Sequence, residues 1–408
     1  MRLVLISKSD KERLLSNFFS LVSLQGINYI LPLVTLPYLV RVLGVEYFGL
    51  LAFATAMVAY FKVITDYGFN LTATREISIH REDKEKVVEI FSSIMTIKFI
   101  LMIVSFILMS ILIFSFEKFS EYWFVYFLTF GTVIGQVLFP VWFFQGMERM
   151  KYITYLNILA KSIFTVAIFI FVQDQSDFYI VPILTSVGFI IAGVWSLVLI
   201  KKEFEVRFEY QSIFVIKNYF RNSWNVFLVE LLPNLYNNFS TFFLGFFVSM
   251  EIVGYYALAT KLIDVLNSFI YVIRNVTYPY LVKNISKFNQ IAKITIGAGF
   301  IFTLCTIGLS HLIVPFVFSD AMEQSLLYLY VLSLSPLLLA ITVSYGSNKL
   351  LVLKKDREMK NITMQFSLFG FVLALILIPI YGAIGSAVTL ISTRLLMTIV
   401  TYRKGRLL

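Results

Sequence analysis

The sequence has little charge and almost no cysteine. Only 14% of its 408 residues are Asp, Glu, Lys or Arg, whereas an ordinary soluble domain has about 25% charged residues. A chain of this length with so little charge is not typical of a water-soluble protein. Its one cysteine, Cys305, lies in an apolar run, which excludes a disulfide framework and a thiolate metal site built from this chain alone.

Motifs of several enzyme classes are also missing. The sequence contains no Gly-x-x-x-x-Gly-Lys-Ser/Thr loop, which excludes ATP hydrolysis by an ordinary P-loop. The two histidines, His80 and His311, do not have metal-ligand spacing, and no Ser/His/Asp set falls in a common loop. The sequence therefore predicts a protein that is not an enzyme and has no metal site.

Long apolar stretches are abundant instead. Hydrophobic residues make up 59% of the chain, and Phe alone occurs 42 times. A bilayer core of roughly 30 Å needs about 20 apolar residues in a helix. We predict an all-α polytopic membrane protein with twelve transmembrane helices, at 17–40, 46–65, 88–114, 121–143, 152–172, 177–200, 223–247, 252–280, 291–317, 324–348, 362–381 and 383–402.

The positive charges alternate between the predicted loops. One set of loops, together with both terminal segments, carries nearly all Lys and Arg outside the spans, and the opposite set contains only Arg41 and Lys118. Because basic residues are retained on the cytoplasmic side, the N- and C-termini are predicted to be cytoplasmic. The net charge of +10 thus reflects membrane orientation and does not indicate a nucleic-acid partner.

The two halves of the chain repeat each other. Residues 46–55 and 251–260 share the pattern Glu-x-x-Gly-x-x-Ala-x-Ala-Thr, and residues 150–154 and 359–363 share Met-Lys-x-Ile-Thr. Because six helices is an even number, both halves enter the membrane with the same orientation, as parallel repeats do. We predict an N-lobe at 1–210 with helices 1–6 and a C-lobe at 211–408 with helices 7–12. Two such lobes around a central cavity are typical of alternating-access carriers.

Six ionisable residues fall deep within the predicted spans, where a charge is costly unless it faces a cavity or a partner. They are the cations Lys98, Lys161, Lys261 and Arg394 and the acids Glu230 and Asp264. Lys62, Asp66 and Arg274 fall nearer the cytoplasmic helix ends, where long side chains reach the interface, and are set aside.

These deep charges have two interpretations. Lys261 and Asp264 are three residues apart on one helix face, and their charges can neutralise each other. Lys161 and Arg394 have no acid within one turn, and an anionic substrate such as a phosphate is the simplest explanation of an unpartnered cation in a transport path. The four cations are therefore predicted to line a substrate path. The two acids are predicted to serve in ion coupling or charge pairing.

Uncharged polar residues add a second set of candidates. They are Gln25 and Asn28 in the first span and Asn234, Tyr236, Asn237 and Asn238 in the seventh. Amides and a phenol suit the hydroxyl groups of a sugar. The alternative is that they form hydrogen bonds between helices, which is a common role of polar residues in membranes.

Five stretches carry a family resemblance: PLVTLPYLVRVLG at 32–44, YFG at 47–49, DYGF at 66–69, WFFQGME at 142–148 and VGYY at 253–256. Together they resemble the oligosaccharide repeat-unit flippases (O-antigen type, Wzx-like) of the MOP exporter superfamily. The resemblance runs along most of the chain and is densest in the first 155 residues.

This resemblance implies a MATE-like fold and outward translocation of an undecaprenyl-pyrophosphate-linked glycan across the bacterial cytoplasmic membrane. The product would be a surface polysaccharide such as O-antigen, capsule or exopolysaccharide. The resemblance also implies a cation-lined lumen and coupling to H+ or Na+, with no other cofactor. A polysaccharide polymerase and a chain-length regulator are the protein partners that it suggests.

Three other functions compete with this one. A drug/cation antiporter of the same fold would prefer an interior lined by carboxylates, whereas the six deep charges here sum to a positive value. A membrane glycan polymerase or ligase would need a sizeable outer loop for its acceptor, and the predicted outer loops are short. A structural scaffold for the polysaccharide assembly machinery is the third alternative.

Overall fold

The computed structural model describes the backbone of residues 8–237, 239–315 and 323–407, and the side chains within these ranges except 8–33, 229, 232–237 and 313. All of the regular structure in these ranges is helical, which confirms the all-α prediction. The helices are α1 (Lys8–Asp66), α2 (Phe69–Ile79), α3 (Lys84–Ser115), α4 (Glu117–Ser120), α5 (Trp123–Leu138), α6 (Val141–Gly146), α7 (Met150–Phe171), α8 (Ile180–Glu203), α9 (Ile213–Asn237), α10 (Phe239–Phe247), α11 (Met250–Lys283), α12 (Phe288–Ile313), α13 (Ser325–Leu332), α14 (Ser335–Thr342) and α15 (Asp356–Arg406).

Within the described ranges, nine helical segments are long and apolar enough to cross a membrane. Two of the helices are much longer than one crossing needs, since α1 has 59 residues and α15 has 51. Each is interrupted by a glycine with positive φ, Gly44 (φ 74°) in α1 and Gly382 (φ 56°) in α15. These two breaks fall between predicted spans, as expected. The total of twelve crossings stays a prediction.

The apolar side chains of the helices face outward as well as inward. Helix α3 illustrates this, because Ile111 and Phe114 are 59% and 62% exposed although its mean hydropathy is high. Water-soluble proteins rarely expose such continuous apolar surface. A helix that is hydrophobic on its outer face requires lipid around it. The chain is an integral membrane protein.

Two predicted spans are interrupted where the sequence alone indicated one continuous helix. The span predicted at 121–143 consists of α5 and α6, which are separated at Phe139 and Pro140. Proline has no amide hydrogen to donate and disfavours helical geometry at the residue before it. The span predicted at 324–348 consists of α13, α14 and a π-helix at Val343–Leu351. Long π-helical segments are rare and often mark functional positions.

The described helices group into two compact units. One contains Phe53–Leu231, and the other contains the residues up to Ala52 together with those from Leu232 onward. This grouping follows the contacts between helices, whereas the lobe boundary predicted at residue 210 follows the sequence repeat. That boundary stays a prediction.

In the Phe53–Leu231 unit, helices α5 and α8 pack closely through small residues. A Cβ atom on Gly131 would lie 2.6 Å from the Cβ of Ser186, and one on Gly193 would lie 2.7 Å from the Cβ of Leu138. The hydroxyl of Ser196 donates to the carbonyl oxygen of Leu138 at 3.1 Å. Small residues and interhelical hydrogen bonds of this kind hold membrane helices together where no hydrophobic effect acts between them.

In the other unit, the repeated motif packs against itself. Gly49 of α1 and Gly254 of α11 are equivalent positions of the two copies, and they meet where the helices cross. A Cβ atom on Gly49 would overlap the carbonyl oxygen of Met250, and one on Gly254 would overlap that of Val45. The repeat thus provides two small residues that let two backbones approach each other, as in other glycine-mediated crossings.

Replacing Gly49 with alanine is expected to destabilise the protein, because the new methyl group meets backbone atoms that cannot move aside. Overpacking of this kind costs about 1–3 kcal/mol, and the thermal midpoint in detergent should fall accordingly. Gly308→Ala is the matched control, since Gly308 is also helical but a Cβ atom there would have nothing within 4 Å. Equal midpoints for the two variants would contradict the close crossing.

Candidate functional site

A buried ion pair joins three helices of the Phe53–Leu231 unit. The ammonium group of Lys98 on α3 donates to one carboxylate oxygen of Asp66 at 2.8 Å, and the side-chain amide of Gln136 on α5 donates to the other. The Lys98 side chain is only 1% exposed. Asp66 is the last residue of α1, as its predicted place near a helix end implies, but it is not to be set aside, because its carboxylate is the partner of Lys98.

Glu230 belongs to the same group of charges. Its carboxylate interacts electrostatically with the like charge of Asp66 and the opposite charge of Lys98. The resulting acidic cluster, formed by Asp66, Lys98, Gln136 and Glu230, contains two acids and one base. Lys98 therefore has a counter-charge within the protein. Its predicted place in the substrate path stays a prediction.

The residues after Asp66 explain how the sequence fixes its position. Tyr67 is buried and stacks on Phe220 and Phe227, with ring centroids 4.4 Å and 4.7 Å away. Gly68 has φ 75°, and a Cβ atom there would lie 2.9 Å from the backbone nitrogen of Phe227. Only glycine adopts this conformation readily. The DYGF stretch therefore anchors the end of α1 against α9.

The WFFQGME stretch supports the same region from α6. A Cβ atom on Gly146 would lie 2.6 Å from the Cβ of Ile77 on α2. The hydroxyl of Thr74 on α2 donates to the carbonyl oxygen of Trp142 at 3.2 Å. The guanidinium of Arg81 donates to Glu148 at 2.7 Å, and this hydrogen bond holds the pKa of the Glu148 carboxyl below its usual range. The WFFQGME stretch thus packs on α2, the helix that begins at the last residue of DYGF.

A second charged group lies in the other unit. Arg394 on α15 donates to the hydroxyl of Ser335 on α14, and the amide of Asn267 on α11 donates to the same hydroxyl at 3.3 Å. Asp264, one turn before Asn267, interacts electrostatically with Lys261 and Arg394. We call Lys261, Asp264, Asn267, Ser335 and Arg394 the basic cluster, since it contains two bases and one acid.

The basic cluster adds a partner that spacing along one helix does not show. Arg394 has no acid within one turn of its own helix, but Asp264 of α11 supplies one from another helix. Lys261 and Asp264 interact electrostatically, and their pairing stays a prediction. Because the cluster still has one base more than it has acids, it keeps a net positive charge.

Lys261 and Asp264 of the basic cluster keep exposed surface, although Asp264 lies deep among protein atoms. The side chains of Lys261 and Asp264 are both exposed, although Lys261 lies about 16 Å along α11 from Met250 at 1.5 Å per residue. A charge exposed at that depth does not face lipid, because polar residues in membranes face the bundle interior or a water-filled cavity. This face of α11 therefore borders a polar space.

The other predicted residues contribute less to the described site. Lys161 lies half-buried on α7. The side chains of Gln25, Asn28, Asn234, Tyr236 and Asn237 lie outside the described residues, as does Asn238 altogether. Their predicted sugar contacts stay a prediction.

The residues predicted from the sequence do not include three polar partners of the two clusters, Gln136, Asn267 and Ser335. Asn267 could have been found from its spacing, since it lies one turn after Asp264 on the same helix. No local pattern indicates Gln136 or Ser335, which reach their partners from other helices.

Removing Lys98 alone should be more damaging than neutralising the pair. We expect Lys98→Met to lower the free energy of unfolding by about 3–5 kcal/mol, because it leaves a largely buried carboxylate without its counter-charge. The double variant Asp66→Asn/Lys98→Met should recover part of this loss in unfolding measurements in mixed micelles. Lys404→Met is the control, since its pair with Glu358 is partly exposed and should contribute less than about 1 kcal/mol. A double variant as unstable as the single one would contradict a simple ion pair.

Comparison with known sequences identifies relatives along nearly the whole chain. The family model of the polysaccharide biosynthesis protein matches residues 14–285. A protein named "Putative O-antigen transporter" from Escherichia coli (strain K12) is 27% identical over 96% of this chain and 96% of its own length. A protein of the same name from Shigella dysenteriae is 24% identical over 94% of this chain and 98% of its own length.

Solved structures share the fold at low sequence identity. An inward-facing multidrug resistance MATE family transporter of the MOP superfamily superposes with a TM-score of 0.72 and 13% identity, over 92% of this chain and 94% of that one. The lipid II flippase MurJ, in an inward closed conformation, has the same TM-score and identity over 94% of this chain and 86% of its own. These similarities confirm the MATE-like fold. The chain belongs to the polysaccharide biosynthesis protein family and has the fold of the MOP superfamily transporters.

Proposed function

We propose that the protein is a flippase that moves lipid-linked oligosaccharide repeat units from the cytoplasmic to the outer leaflet for the synthesis of a surface polysaccharide. The observation that carries this proposal is the positively charged group on α11, α14 and α15, part of which faces a polar space deep in the membrane. The family and the names of the curated relatives support the same substrate class.

The physical problem of this reaction is the transfer of a polar head through hydrocarbon. A polyprenyl chain remains in the bilayer throughout, whereas a diphosphate and its sugars would lose their hydration there. Arg394 can offer a planar set of donors to phosphate oxygens, and Lys261 adds a second cation. Ser335 and Asn267 hold the arginine in place. The basic cluster would thus replace part of the hydration of the diphosphate.

Several finer features belong to the same proposal. The termini lie in the cytoplasm, the lipid is undecaprenyl pyrophosphate, and transport proceeds by alternating access without a chemical reaction. A polysaccharide polymerase and a chain-length regulator would receive or organise the product. The distribution of Lys and Arg among the loops supports the orientation.

One observation favours a second function, cation-coupled antiport. The acidic cluster contains two carboxylates and one ammonium group within the membrane-spanning helices. Such a cluster suits a proton or Na+, either as the driving ion of the flippase or as the counter-ion of a drug antiporter. The polysaccharide family match favours the first of these.

The proposal is tested by deleting the gene in its host and complementing it with charge variants. The deletion should abolish the surface polysaccharide and accumulate complete lipid-linked units facing the cytoplasm. Lys261→Gln should reduce restored export at least tenfold at equal protein level, because it removes a cation that faces the polar space. Lys283→Gln, at the last residue of the same helix, is the matched control and should restore export fully.

The opposite results are equally informative. Unchanged surface polysaccharide in the deletion strain, or accumulation of units on the outer face, would overturn the flippase proposal. Full activity of Lys261→Gln with flipping intact would overturn only the role of this cation.

A further inference from the structure

A polar cavity of about 400 Å³ lies at the end of the Phe53–Leu231 unit that is predicted to be cytoplasmic. Its walls are α2, the beginning of α3 and the first half of α9. Its volume falls within the range of about 300–1,000 Å³ found for small-molecule sites. The acidic and basic clusters do not contribute to its lining. The residues that matter for its chemistry are Arg75, Glu76, Lys86, Glu89, Asn218 and Asn222.

The walls of this cavity are fixed by hydrogen bonds between helices. The hydroxyls of Thr72 on α2 and Ser223 on α9 are 2.8 Å apart. Glu89 on α3 accepts hydrogen bonds from Tyr219 of α9 at 3.0 Å and from Lys86 at 2.6 Å. Burial, together with the neighbouring Glu89, raises the pKa of Tyr219, which therefore remains a neutral donor. The cavity is thus a preformed site and not a gap between mobile segments.

Asparagine side chains on α9 give the cavity its hydrogen-bonding surface. Asn218 and Asn222 are exposed, lie one helical turn apart, and are joined by a 3.4 Å contact from the amide nitrogen of Asn222 to the amide oxygen of Asn218. Each amide has two donor hydrogens and an acceptor oxygen that accepts two bonds, so both retain capacity for a ligand. Phe214, one turn earlier on α9, is 80% exposed and adds a flat apolar surface.

The charges of the lining decide which ligand fits. Arg75 and Lys86 are balanced by Glu76 and Glu89, and the one histidine of the lining, His80, adds a ring nitrogen that can donate and one that can accept. The lining therefore has no excess of fixed charge that would favour a free phosphate. Carboxylates, amides and a phenol next to an aromatic ring complement the alternating donors and acceptors of sugar hydroxyls and the apolar face of a sugar ring. A neutral carbohydrate fits this balance better than a diphosphate does.

We propose that this cavity binds sugar residues of the lipid-linked oligosaccharide before it enters the membrane path. This inference rests on the proposed flippase function and adds to it a separate cytoplasmic site that recognises the glycan. A site built to hydrogen-bond hydroxyl groups rejects ligands that lack them, because its own polar groups would be left unpaired. Selection among glycans would therefore occur at α2 and α9, apart from the cluster that handles the diphosphate.

Cysteine protection tests the proposal directly. In a Cys305→Ser background, Asn222→Cys places a thiol in the cavity wall, and Asn225→Cys places a matched thiol on an exposed position of α9 outside the lining. Maleimide labelling is measured in inside-out membrane vesicles from cells that make the lipid-linked oligosaccharide and from cells blocked at the first sugar transfer. Occupancy of the cavity should slow labelling at position 222 at least fivefold and leave position 225 unchanged.

Two results would overturn the inference. Equal labelling of Asn222→Cys in both kinds of vesicle would show that the glycan does not occupy the cavity, and equal protection of both positions would show that contact is not confined to it. If Asn222→Cys does not restore export, Asn218→Cys, which lies in the same wall, is assayed by the same criterion. Export is also measured in the same host with the wild-type protein. Normal export together with an unprotected position 222 would refute the cytoplasmic sugar site and leave the flippase function intact.

Discussion

A charge inside the hydrocarbon core of a bilayer must find a counter-charge, a hydrogen bond or water. The acidic cluster and the basic cluster both satisfy that constraint through tertiary contacts. Lys98 lies against Asp66 and Gln136, and Arg394 lies against Ser335 with Asp264 nearby. The partners come from different helices in each case. The positions of the end of α1, of α3 and of α5 in one unit are therefore tied to residues that are candidates for transport. The same holds for α11, α14 and α15 in the other unit.

The two groups have opposite character. The acidic cluster has one more acid than it has bases, and the basic cluster has one more base than it has acids. In this protein the two clusters lie in separate compact units. The polar cavity between α2, α3 and α9 would be a third site, with balanced charge and with hydrogen-bonding groups suited to sugar hydroxyls.

The stretches that resemble the flippase family also have a structural meaning. DYGF anchors the end of α1 through the stacking of Tyr67 and the close approach of Gly68 to α9. WFFQGME packs α6 on α2 through Gly146. The repeated motif at 46–55 and 251–260 brings Gly49 and Gly254 together at a helix crossing. These stretches therefore support the sites mainly through packing, and DYGF also supplies the carboxylate of Asp66 to the acidic cluster.

The sequence by itself determined the membrane class, the helical fold and the family resemblance. Hydropathy and the alternation of basic loops depend on local composition, because the bilayer selects apolar helices and retains basic loops on one side. The internal repeat is visible in the sequence itself. The helix breaks at Gly44 and Gly382 could also be expected, because each glycine lies between two predicted transmembrane spans. Tertiary structure alone decided which deep charges are partnered, because Asp66 and Lys98 are distant in sequence and Asp264 and Arg394 even more so. Spacing along one helix shows only neighbours on that helix, and the partners here lie across helix crossings.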